Sequence, residues 1–314
     1  MARLLIRRLR DLVIVLILVG TAMFFIIRLV PGQPATAMLG PYATQDQIDA
    51  LTKAMHLDGP LILQYFGWIT NAATGDLGTS ITFSQPVTKV IIDHAVPTIF
   101  MAVASTIMSV ALAVPLALKA AAKPRSLWAR LLSPVTAFGL ALPSFWLALM
   151  LVLFLGVFVE IFPVSGYVDL LSHPIEGLRY LVLPIVVLMS HQLALFVATL
   201  RESISGELLN LYLRTGRAKG VKERTLLYRH VLPNALLPTI TVAGASFGHL
   251  LGGAIVLEMV FVIPGWGLTL YNGIQARDYP LILGLTLTIA VLFVIVNLIA
   301  DLLYIVADPK VRVR

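Results

Sequence analysis

Few side chains in this 314-residue chain could do chemistry, and their spacing argues against catalysis. The six histidines (His56, His94, His173, His191, His230 and His249) show no close metal-ligand spacing. With no cysteine, disulfides and thiolate metal sites are excluded. The glycine-rich turn GDLGTS at 75–80 lacks the lysine and the spacing of a phosphate-binding loop. Dinucleotide fingerprints, zinc-protease helices and serine-nucleophile elbows are missing as well. The chain therefore reads as a non-enzyme with no metal and no cofactor of its own. If it moves a solute uphill, the energy comes from an ion gradient or from a separate ATP-hydrolysing subunit.

An ion-coupled carrier places ionisable groups deep in the membrane. The candidates here are His191, His249, Glu258 near the end of one apolar run and Asp301 toward the end of another. A hydrogen bond or a water-exposed helix end accounts for Glu258 and Asp301 better than a proton relay does. His249, beside glycines in mid-run, suits a pore-facing role and a packing role equally. Gly244, Gly248 and Gly252 recur every four residues, so they share one helix face and form a strip where another helix can approach. That strip reads as a helix interface, either inside this chain or lining a shared pathway.

The remaining concentration of polar chemistry is an island, RTGRAKGVKERTLLYRHVLPNALLP at 214–238, with six lysines and arginines between long apolar runs. Gly220 can end one helix, since glycine takes the left-handed cap conformation without penalty. The segment 221–231 then reads as a short amphipathic helix, with Leu226, Leu227 and Val231 on its apolar side and Lys222, Glu223, Arg224 and Arg229 on its polar faces. Pro233 disfavours helix at Leu232 and should end the element. A short surface helix with exposed leucines would be a docking knob. A basic loop resting on anionic headgroups explains the charge but not the glycine and proline punctuation.

The elements that must hold this island are membrane spans. The chain is 59% hydrophobic and 12% charged, against roughly 45–50% and about 25% in soluble domains. Six apolar runs approach or exceed the length of about 20 residues needed to cross a bilayer: 12–30, 96–119, 136–159, 178–200, 235–262 and 281–306. They are continuous rather than alternating, so the fold class is all-α membrane protein with six transmembrane helices. The net charge of +7 does not point to nucleic acid, because 18 of the 23 basic residues fall in four clusters on one side of an alternating six-span arrangement. By the positive-inside rule that side is cytoplasmic, with both termini on it. The arginine-rich start followed by Ala35-Thr36-Ala37 has the outline of a signal peptide, but its apolar run is long for one and reads as a retained helix. Three parts follow: 1–30, an N-terminal segment and first span; 31–95, an extracytoplasmic excursion; and 96–314, a five-helix core with a cytoplasmic loop at about 201–234. Within the excursion, Thr44 and Gln47 have capping-box spacing at the start of an amphipathic helix.

The island resembles the cytoplasmic loop of binding-protein-dependent ABC-transporter permeases, whose pattern is E-A-A, three residues, G, nine residues, I-x-L-P. Gly220 fits the glycine, and His230-Val231-Leu232-Pro233 occupies the last block at the matching distance. Arg214-Thr215-Gly216 and His230 depart from that pattern, and are similar to the peptide/nickel branch with its RTARAKG and RHALxNALLP runs. Other blocks resemble that branch in order: LDGPLILQYFGWI, GDLGTS, LPSFW, GGAIVLEMVFVIPGWG, RDYP and DLLYIVADPKV. The resemblance implies the type I importer permease fold, in the subunit with the long first periplasmic loop of the bacterial inner membrane. It implies half of a pathway for di- or oligopeptides, a second permease subunit, two ATPase subunits that bind ATP and Mg, and an extracytoplasmic binding protein. Carried onto this chain, ATPase coupling falls to Arg214, Thr215, Gly216, Ala218, Lys219, Gly220, Lys222, Glu223, Arg224, Leu226, Leu227, His230, Leu232 and Pro233. Gly244, Gly248, His249, Gly252 and Glu258 are the candidates for the pathway or a helix interface. The same scaffold could carry nickel chelates, glutathione or another small solute; the alternative of another class is an ion-coupled carrier or channel without ATPase partners.

Overall fold

The structure is a computed structural model and describes residues 2–29, 39, 42–54 and 59–307. The C-terminal basic cluster Lys310, Arg312 and Arg314 lies outside the described residues, as do Ala35-Thr36-Ala37 and His56. Among the described residues, five helices are long and apolar enough to cross a membrane, and a bent pair, if it is one span, brings the number to six. The chain divides into two compact units, one of 1–98 with 264–294 and one of 99–263 with 295–314.

In the first unit, α1 (Ala2–Leu29) carries the apolar segment Arg10–Leu29. Next comes α2 (Gln45–Ala54), whose capping box is formed: the Thr44 amide donates to Gln47 Oε1 at 3.0 Å, and the Gln47 amide to Thr44 Oγ1 at 3.4 Å. The uncharged α3 (Leu61–Ala73) runs antiparallel along α1 instead of standing clear of it. Arg28 bonds Gln64 at 3.1 Å, Thr21 bonds Tyr65 at 2.7 Å, and Gly20 leaves room for the Trp68 ring. Two-residue strands β1 (Thr79–Ser80) and β2 (Gln85–Pro86) pair antiparallel and lead into α4 (Val87–Asp93). The indole of Trp266, on α12 (Trp266–Gln275), donates to the Ile91 carbonyl at 2.7 Å, and its backbone amide donates to Thr98 Oγ1 at 2.9 Å. Asp278, fully buried just before α13 (Tyr279–Ala307), accepts from Ser80 Oγ, the Thr82 amide and the Leu281 amide.

The second unit is built on α8 (Pro174–Glu207), whose buried residues recur all round the helix from Leu181 to Ile204. Around it pack α6 (Leu127–Ala141), α7 (Ser144–Leu151), extended by a π-turn over Val152–Phe158, and α11 (Leu232–Phe261). α5 (Ala95–Ala122) and α13 each contribute residues to both units.

The expected third span at 136–159 is not straight. Helices over Leu127–Ala141 and Ser144–Phe158 meet at 103°. Leu142 sits in the extended region (φ −72°, ψ 127°), the conformation that the ring of Pro143 favours at the residue before it. Helix also continues past Pro233, which occupies the first turn of α11 rather than a terminus; Glu223–Phe261 forms one long apolar helix. A π-turn at Leu227–Val231 precedes the proline and loosens the ladder where a ring would clash with the preceding carbonyls.

Candidate functional site

The basic island folds as helix, left-handed cap, then helix. α9 (Leu211–Ala218) ends in a Schellman motif: the Val221 amide reaches the Gly216 carbonyl at 3.1 Å and the Gly220 amide the Arg217 carbonyl at 2.9 Å. Gly220 takes φ +77° to make this closure, and a side chain there would meet open space. α10 (Glu223–Leu226) then starts after Lys222 and runs through the π-turn into α11. Arg217 Nε bonds Glu223 Oε1 at 2.6 Å across the cap, an exposed ion pair that solvent screens, so it contributes little to stability.

The helix does not present leucines outward. Leu226 and Val231 are buried in a cluster with Ala117 and Leu118 of α5, Leu200 and Ile204 of α8, Leu213 of α9 and Ala235 of α11. Leu227 and Leu232 are half-buried, Leu232 against that cluster. An amphipathic stretch on a membrane protein's rim turns its apolar side inward because the ends of its own spans provide the partner. The exposed surface is instead Arg214, Thr215, Ala218, Lys219, Gly220, Lys222, Glu223, Arg224, Tyr228 and His230, with Pro233 at its edge. Tyr228 is half-exposed, with the Arg224 guanidinium 5.7 Å from its ring centroid. Gly216 faces Leu226: a Cβ there would lie 2.8 Å from Leu226 Cδ2, so glycine lets the two helices of the island close on each other.

Sequence reasoning missed a polar brace beneath this surface. Tyr212 donates to Glu207 Oε2 at 2.8 Å, and Asn210 donates to the same oxygen at 2.9 Å. Asn234 donates from Nδ2 to the His230 carbonyl at 3.0 Å. The Tyr212 phenol is pushed above its ordinary pKa by partial burial first and by its bond to Glu207 second, so it stays a donor. Spacing from Glu207 to Tyr212 is five residues across a turn, which no helical periodicity could flag.

The glycine strip of α11 does not act as one surface. Gly244 is buried, and a Cβ there would stand 2.7 Å from the Ala300 Cβ of α13. Gly248 is half-buried, whereas Gly252 and His249 are exposed. Gly253, outside the four-residue pattern, turns toward Leu188. Glu258 is fully buried one turn before the helix end, where its carbonyl accepts the Val262 and Ile263 amides. The strip therefore combines a packing contact at one end with an open face at the other, because a helix 30 residues long passes different neighbours along its length.

Residues 113–313 match the family described as binding-protein-dependent transport system inner membrane component, and residues 1–102 match the N-terminal region of such membrane components. The oligopeptide transport system permease protein AppB of Bacillus subtilis (strain 168) is 34% identical over 308 residues, covering 96% of this chain and 98% of its own. A protein of Brucella abortus (strain 2308) named as a peptide transport system permease is 33% identical over 312 residues, 99% of each chain. The apolar helices, with the basic island between two of them, suit a component of a membrane transport system. This chain belongs to the binding-protein-dependent transport system inner membrane components, as a permease subunit of an ABC importer of the peptide-permease type.

Proposed function

We propose that the chain forms half of a translocation pathway for short peptides and receives its drive from ATPase subunits docked on the island at 214–233. A second permease completes the pathway, two ATPases bind ATP and Mg, and a binding protein delivers substrate at the Leu29 end of α1. Both termini and the island then share the ATPase side. The single observation that supports coupling most is the island's exposed face. It is basic and carries one half-exposed tyrosine, while Leu226 and Val231 fix its other side to the ends of three apolar helices. An acidic groove on the partner complements Arg214, Lys219, Lys222 and Arg224. The peptide assignment draws its support from the names of the relatives.

The natural chain has no cysteine, so a single cysteine can be placed at Lys222 or Tyr228 without background. In the assembly purified from its host, a short crosslinker with one thiol-reactive and one photoreactive end should join either position to an ATPase subunit. Charge reversal at Lys222 and Arg224 together should leave ATP hydrolysis but abolish peptide uptake in proteoliposomes. Purification without any ATPase, or normal uptake by the charge-reversed variant, would overturn the assignment.

A further inference from the structure

We infer that α3 is a re-entrant helix immersed in the bilayer, with lipid acyl chains as the partner of its exposed face. Its sequence, LILQYFGWITNAA, has no charged residue. Contacts with α1 run in order from one end: Arg28 to Gln64, Thr21 to Tyr65, Gly20 to Trp68. Arg28 marks the polar end of this seam. Its guanidinium lies 3.5 Å from the Phe24 ring centroid and bonds the Phe24 carbonyl, in the manner of a residue anchored at a membrane interface. Gly20 lies roughly 13 Å below the Leu29 end at about 1.5 Å per residue, nearly half of a hydrocarbon core of about 30 Å. Trp68 is therefore level with the middle of the Arg10–Leu29 span.

The face of α3 turned away from α1 carries Ile62, Leu63 and Phe66, which are 65%, 66% and 58% exposed. Thr70 on the same helix returns its hydroxyl to the Phe66 and Gly67 carbonyls, which leaves no hydrogen awaiting solvent. At the base of α3 an apolar cavity of about 450 Å³ opens against Val13, Ile17, Leu287 and Val291. In water, such a face and such a hole would each cost about 25 cal/mol per Å² of apolar surface; acyl chains remove the cost of both.

Non-helical backbone at depth must be paired within the protein, and four amides of the return limb are. The amides of Thr74, Gly75 and Asp76 bond the carbonyls of Thr70, Ala72 and Asn71, and the Gly78 amide bonds Asp76 Oδ1. The limb then climbs α13: Leu77 lies by Gly284, Gly78 by Pro280 and Ser80 on Asp278. Asp76 is exposed at the tip, and its charge requires water there, so the tip faces an aqueous cavity while the side of α3 faces lipid.

The test is collision accessibility of nitroxide labels on single cysteines in the complete complex in lipid nanodiscs. Labels at Ile62 and Phe66 should favour oxygen over a water-soluble nickel chelate by about tenfold relative to Gly59, as hydrocarbon excludes the chelate. A label at Asp76 should remain chelate-accessible. Equal chelate access at Phe66 and Gly59 would place α3 in water. Low access to both reagents at Ile62 and Phe66 would mean that protein covers the face. Either result overturns the inference. Substrate uptake by each labelled variant confirms that the fold is intact, and the readout does not depend on which solute is carried.

Discussion

Removing the carboxylate of Asp278 should release the hairpin of β1 and β2 from the start of α13. Three donors converge on it: Ser80 Oγ at 2.6 Å and the Thr82 amide at 2.9 Å on one oxygen, and the Leu281 amide at 3.1 Å on the other. Ser80 and Asp278 are both essentially inaccessible to solvent. Asp278→Ala strands these donors, at about 1–3 kcal/mol for each buried group left without a partner. The Leu281 bond is also the N-cap of α13, and losing a cap costs about 1 kcal/mol. Relaxation recovers part of the sum, so a net loss of about 3–4 kcal/mol is expected, or roughly a hundredfold or more in the local opening constant at about 1.4 kcal/mol per factor of ten. Asp278→Asn keeps one acceptor for Leu281, and its amide can donate to Ser80 Oγ, which already accepts from the Phe83 amide. Only the Thr82 amide is then left without its acceptor, so about tenfold is expected. Amide hydrogen exchange over 79–86 and 279–285 in detergent or nanodiscs reads both values. Exchange within twofold of the natural chain for Asp278→Ala, or equal effects of the two variants, would refute the reasoning.

Two further substitutions test the island and the α11 strip. Gly220→Ala meets no neighbour, so its cost is the left-handed backbone alone, about 1 kcal/mol, and the Schellman closure should loosen. Faster proteolysis between Lys219 and Arg224, with overall thermal stability nearly unchanged, is the expected result. Gly244→Val drives a side chain into the Ala300 Cβ, which cannot rotate away, so α11 and α13 must separate locally. A loss of about 1–3 kcal/mol in thermal unfolding is expected there, against almost none for Gly252→Ala, which points to open space.

Much of the fold is legible in the residues because membrane spans are set by unbroken apolar length, and five of the six expected runs fall on helices long and apolar enough to cross a membrane. The Thr44–Gln47 box and the Gly220 cap are equally readable, since each is a local contract between backbone and side chain. The break at Leu142–Pro143 and the continuation through Pro233 show the limit of that locality. A proline disfavours helix at the residue before it without forbidding it, as Pro115, Pro134, Pro184 and Pro238 inside helices show, so the packing around Leu142 and Leu232 decides which outcome holds. The burial of Leu226 was illegible for another reason. Periodicity tells which side of a helix is apolar, not whether that side meets a neighbouring span or a partner. The same ambiguity separates Gly244 from Gly252, identical in spacing and opposite in surroundings.

The magnitudes on the island decide what any pull on its exposed face would move. The Arg217–Glu223 pair crosses the cap but lies in solvent, so screening leaves it a weak tie between the two helices. Burial of Leu226 and Val231 contributes about 1.5–3 kcal/mol for each side chain, and both sit in one cluster with residues of α5, α8 and α11. Force applied at Lys222 or Arg224 therefore opens the ion pair and bends the chain at Gly220 before it detaches α10 from the core. Displacement then has two outlets. One is the π-turn at Leu227–Val231, whose wider hydrogen-bond ring is the compliant point of the long helix. The other is α8, reached through Leu200 and Ile204 on the apolar side and through the Glu207–Tyr212 bond on the polar side. A leucine knob buried in the partner would leave the island loosely held to its own spans. A basic face backed by a buried leucine makes the opposite arrangement, in which the island is held firmly to its own transmembrane helices and its exposed side is left free.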